Sequence, residues 1–138
     1  MTTLNGQILG QAERAARAVL DRLLDQDGID FHRWVALNAT NGAPVPGPAL
    51  TARLAAGLKV AEAEAAVAVE QLTAAGLLAD TGAGVEHTAA GAARFQQLRA
   101  AVGEVTTRLY GGIPADDLAV AGRVLQLVTA RANAELAA

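Results

Sequence analysis

Apolar residues recur along this chain at alternating steps of three and four, the spacing that gathers side chains on one face of a helix. Leu9, Ala12, Ala16, Val19 and Leu23 predict a long amphipathic first helix over residues 3–25, closed by Asp27-Gly28. Asp30 is placed to cap a second helix over residues 31–40, with Trp34 and Leu37 on its inner side. The next stretch, Asn41 to Pro48, holds three of the four prolines and two glycines and reads as an extended connector. A third helix over residues 49–56 sets Leu50 and Leu54 one turn apart, with Gly57 as its stop.

A fourth helix follows Leu58-Lys59-Val60, with Ala61, Ala65, Val69 and Leu72 on one face and Gly76 ending it. Leu77-Leu78 then reads as a strand, Thr81-Gly82-Ala83-Gly84 as a turn, and Val85 to Thr88 as the returning strand of a small antiparallel hairpin. Thr88 caps a fifth helix whose Phe95, Leu98, Val102, Val105 and Leu109 step like a coiled-coil seam, up to the break at Gly111-Gly112. Pro114 suits the first turn of a sixth helix, where Leu118, Ala121, Leu125, Val128 and Ala132 repeat the pattern. Helix, tight turn, helix and hairpin in that order make a winged helix-turn-helix. The seam-like helices at the two ends of the sequence suit a bundle shared between two chains.

The motifs Leu58-Lys59-Val60, Val69, Leu72, Gly76-Leu77-Leu78 and Val85-Glu86-His87-Thr88-Ala89-Ala90-Gly91 resemble those of the MarR family, dimeric bacterial transcription regulators. The likeness runs nearly end to end, taking in Trp34-Val35-Ala36-Leu37 and Ile113-Pro114-Ala115-Asp116-Asp117-Leu118. It implies a mostly α fold with a β-hairpin wing, a winged helix-turn-helix unit over residues 31–88, and a dimerisation region formed by residues 1–30 and 89–138. It further implies a homodimer, DNA facing the middle helices and wing, and a small-molecule pocket between bundle and reading unit, near His32.

Phe31, His32 and Trp34 cluster in a chain with only four aromatic residues and are the candidate ligand-binding residues. The same spacing fits Trp34 as a core residue and His32 as a half-exposed one.

Composition narrows the chemistry. At 138 residues, with 52% apolar and 3% aromatic side chains, the chain is one domain's worth of Ala, Leu and Val, a helix-forming set. No apolar run reaches membrane-span length, and Met1 to Gly10 lacks a signal peptide's pattern, so a cytoplasmic protein with no membrane partner is expected. There is no cysteine and no serine, which excludes disulfides, thiolate catalysis and a Ser-His-Asp triad. Two histidines without a repeated His/Glu spacing predict neither a metal site nor a cofactor. Asp116-Asp117 follow Pro114 where carboxylates complement a helix dipole, and no catalytic residue is assigned.

Charge changes the functional picture more than anything else. The net charge is −3, and the segment from Gly47 to Ala90 carries all of it: Arg53 and Lys59 stand against Glu62, Glu64, Glu70, Asp80 and Glu86. Phosphates are held and bases read mainly by Arg, Lys, Asn and Gln. Arg53, Lys59 and Gln71 are therefore the candidate DNA-binding residues, and the wing tip offers no base at all. Two functions stay open: a ligand-responsive regulator with an acidic, arginine-poor reading face and weak DNA binding, or a protein of the same fold that has lost DNA binding and binds or transforms a small molecule.

Overall fold

The side chain of Asn5 accepts the backbone N–H of Ile8 at 2.9 Å, so α1 (Gly6–Asp25) begins three residues later than its apolar spacing suggests. Asp30 does the same for α2 (Phe31–Ala39), accepting the N–H of Arg33 at 2.9 Å. The computed structural model describes all 138 residues. It divides into two compact units, Met1–Val105 and Thr106–Ala138.

Three helices of the first unit end in one motif, a left-handed residue followed by an N–H that reaches back five residues. Gly28 (φ 67°) precedes Ile29, whose N–H donates to the Leu24 carbonyl at 3.2 Å, and Gly76 (φ 77°) precedes Leu77, which donates to Leu72 at 2.9 Å. Between them α3 (Gly47–Leu58) ends at Lys59 (φ 59°), with Val60 donating to Ala55 at 3.1 Å. The expected stop, Gly57, thus lies inside α3. The helix also starts earlier than expected, because Pro46 and Pro48 supply the fixed φ of a first turn.

The connector expected as a loop contributes a third strand position. Val45 and Val85 exchange both backbone hydrogen bonds, at 2.9 and 2.7 Å, beside the hairpin of β1 (Leu78–Asp80) and β2 (Val85–His87). Pro44 and Pro46 flank Val45 and have no N–H to donate, which confines the pairing to one residue. Within the hairpin Leu78 faces His87 and Asp80 faces Val85. Leu77 lies outside β1, its N–H taken by the end of α4 (Glu62–Ala74).

The core of this unit gathers Leu24, Ile29, Trp34, Leu37, Leu50, Leu54, Leu72, Leu78 and Val85 with Phe95 and Leu98 of α5 (Ala89–Tyr110). On α4 the buried face is Ala65, Ala68 and Leu72, whereas Ala61, expected on it, is the exposed residue just before the helix. Burying this apolar surface is the main drive to fold. Thr88 joins wing to helix: its hydroxyl donates to the Gly76 carbonyl at 2.6 Å and accepts the N–H of Gly91 at 3.0 Å.

The second unit holds the last turn of α5, a turn through Gly112 and Pro114, and α6 (Ala115–Ala137). No residue of α6 is buried, and Leu109, Tyr110, Ile113, Val120, Leu127, Val128 and Leu136 are exposed. No helix of the protein is long and apolar enough to cross a membrane.

Candidate functional site

Along α1, Glu13, Arg17, Asp21 and Asp25 recur every four residues and form a charged ladder beside the apolar face. Arg17 lies 3.7 Å from Glu13 and 3.3 Å from Asp21, and its guanidinium carbon sits 3.3 Å from the ring centroid of Phe31, the first residue of α2. Two clefts share this stack in their lining. One, of about 340 Å³, is lined by Arg17, Asp21, Asp25, Asp30, Phe31 and His32. The other, of about 400 Å³, shares Arg17, Phe31 and His32 and adds Glu13, Val35, Gly57 and Leu58.

Partial burial pushes the pKa of Asp30 up, but the backbone and side-chain hydrogen bonds from Arg33, with the charges of Arg33 and His32, outweigh it and hold the carboxyl below its ordinary value. His32 turns the other way as well: its Nδ1 lies 4.0 Å from a carboxylate oxygen of Glu64 in the first turn of α4. One side chain therefore touches both the cleft and the helix that follows the tight turn.

Of the three residues expected at a ligand site, Phe31 and His32 line both clefts and Trp34 lines neither. Trp34 is 8% exposed and stacks on Phe95, with ring centroids 5.6 Å apart and planes at 23°. His87 packs against the same Phe95, with ring centroids 5.3 Å apart and planes tilted at 55°, and its Nε2–H donates to the Leu37 carbonyl at 2.9 Å. Because a carbonyl can only accept, the proton is on Nε2. Sequence reasoning missed Arg17, Asp21 and Asp25. The period-four ladder was the available signal, but its neighbour Phe31 lies across a helix break that spacing alone does not close.

The surface beyond the tight turn is acidic. Arg53 on α3, Lys59 in the turn and Gln71 near the end of α4 are all exposed, as are Glu62, Glu64 and Glu70. No side chain caps α4, and Glu62 and Glu64 in its first turn complement the dipole instead. Between them the outward face shows Ala63, Val67 (46% exposed) and Ala74. At the wing tip Thr81 and Gly84 close the turn through one backbone bond of 3.0 Å, and the Asp80 carboxylate accepts the Gly82 N–H at 3.1 Å. No basic side chain extends from it.

The sequence matches no family model and no curated protein. Solved structures do match. Transcriptional regulator PA3341 is similar over 93% of this chain and 97% of its own, with a TM-score of 0.78 and 24% identity. The Mycobacterium tuberculosis MarR family protein Rv2887 in complex with DNA is similar over 92% and 98%, with a TM-score of 0.72 and 20% identity. The same protein in complex with salicylic acid matches over 92% and 99%, with a TM-score of 0.70 and 20% identity. The likeness shows the fold: the chain has the MarR-type winged-helix fold.

Proposed function

We propose that the protein is a homodimeric, cytoplasmic, ligand-responsive transcription regulator whose hold on DNA is weak. The observation that carries this reading is the fold likeness over nine-tenths of the chain to a MarR family protein in complex with DNA. In this reading α3, the tight turn and α4 face the duplex, with Arg53 and Lys59 on phosphates and the amide of Gln71 toward a base edge. Residues 31–88 form the reading unit, and residues 1–30 with 89–138 form the dimer. The cleft at Phe31 and His32 takes the ligand, and the approach of His32 to Glu64 supports a route from cleft to α4.

The second reading, a protein of this fold that no longer binds DNA and uses the cleft alone, is favoured by one observation. Three exposed glutamates occupy α4, and the wing ends without a base. A competition assay separates the two. Labelled DNA from the region upstream of the protein's own reading frame is challenged with unlabelled copies of itself and with unrelated duplex. Displacement by the first alone supports the regulator, whereas equal displacement by both, or no complex at all, favours the second reading.

A further inference from the structure

We propose that the clefts sharing Arg17, Phe31 and His32 are a seat for an organic cation with an apolar body, and that Arg17 occupies that seat in the free protein. The inference rests on the ligand-responsive reading above and names the ligand's class. The face of Phe31 already takes a cation: the guanidinium carbon of Arg17 stands 3.3 Å from its ring centroid. Val35 and Leu58 supply an apolar wall next to that ring. Clefts of about 340 and 400 Å³ are of the size that holds small organic ligands.

The charges around the clefts decide the sign of their occupant. Glu13 and Asp21 are engaged by Arg17, and Asp30 by Arg33 at 3.2 Å. Asp25 makes no ion pair, and it stands in the last turn of α1, where a negative charge opposes the helix dipole. Asp25 lines the first cleft, so its charge adds to the attraction for a cation there. An aromatic carboxylate would meet Asp25 and Asp30 and would find Arg17 already neutralised by two partners. A cationic head displacing Arg17 finds the ring face, Glu13 and Asp21 ready to receive it, with His32 at its side and Glu64 beyond.

The test uses a matched pair of single-ring probes, benzyltrimethylammonium and salicylate, titrated calorimetrically into the full chain. The ammonium ion is expected to bind and salicylate to give no heat. Arg17→Gln should tighten the ammonium about three- to tenfold, because it removes the resident competitor and frees Glu13 and Asp21. Asp25→Asn should weaken it about threefold and Phe31→Leu about tenfold, with the unliganded melting temperature of each variant showing that it is folded. Salicylate binding that Arg17→Gln abolishes, with no ammonium binding, overturns the cation inference and leaves ligand response standing. Ammonium binding that follows these shifts but leaves DNA binding unchanged supports the inference and removes the regulatory reading. Absence of ammonium binding to both wild type and Arg17→Gln overturns the inference.

Discussion

A Cβ on residue 91 would overlap the carbonyl oxygen of Leu77, so the first turn of α5 lies against the base of the wing only because residue 91 is glycine. That carbonyl also accepts the N–H of Thr88 at 3.1 Å, and moving it aside would break the bond. Elsewhere in a helix, Gly→Ala gains about 0.5–1 kcal/mol. Gly91→Ala is expected to lose about 2–3 kcal/mol instead, while Gly103→Ala in the same helix, with open space at its Cβ, should gain. Urea unfolding of the two variants reads the opposite signs, and equal signs would refute the close approach.

Lys59 fills at α3 the place that Gly28 and Gly76 fill at α1 and α4. A side chain in the left-handed region costs about 1 kcal/mol, so Lys59→Gly should stabilise the fold by roughly that amount despite glycine's extra freedom when unfolded. In thermal melts the variant should rise by a few degrees. It should also bind DNA less well, since it removes one of two cations from the proposed reading face.

Asp30 caps α2, and its carboxyl is held below the ordinary carboxylate range. A depressed folded-state pKa means that its contribution is present above the unfolded value and disappears as pH falls through the folded one. Asp30→Ala should therefore cost about 1 kcal/mol near neutrality. The gap from wild type should close as the pH is taken below the carboxylate range. A pH-independent gap in denaturation midpoints would show that the loss is packing and not the charged cap.

Seven large apolar residues between Leu109 and Leu136 are exposed on the single chain. Surface of that kind is expected to be covered by a second copy, so light scattering should give about twice the chain mass at micromolar concentration. Val128→Asp should shift the mass toward one chain. A wild-type protein that stays monomeric there would remove the dimer from the proposed function.

Much of the fold is legible because it is local. The three-and-four spacing, Asp30 and Thr88 as caps, and Gly76 as a stop each act within a turn or two of chain. What the sequence hides is left to tertiary contact. Val45 pairs with Val85 from forty residues away, inside a proline-rich stretch whose local signal is irregular. Lys59 adopts the left-handed conformation expected of Gly57, because the longer helix brings Leu58 against the core before the chain turns. Half of the candidate cleft was visible as an aromatic cluster at Phe31 and His32. The other half, Arg17 and its carboxylates, belongs to a different helix, and Trp34 left the cluster for the core because stacking on Phe95 buries its large ring.

The three glutamates of α4 set how weakly the protein holds DNA, and a salt titration of DNA binding reads that charge. Affinity falls with salt at a log-log slope near −0.9 per phosphate contact, so a dimer offering Arg53 and Lys59 twice should show a slope of about −4 or shallower, with little binding left near physiological ionic strength. Replacing Glu62, Glu64 and Glu70 together by Gln should strengthen nonspecific binding about tenfold or more, since none of the three is buried and the face formed by Ala65, Ala68 and Leu72 is untouched. Tight, sequence-selective binding by the unmodified protein with a slope of roughly −6 or steeper would contradict the account.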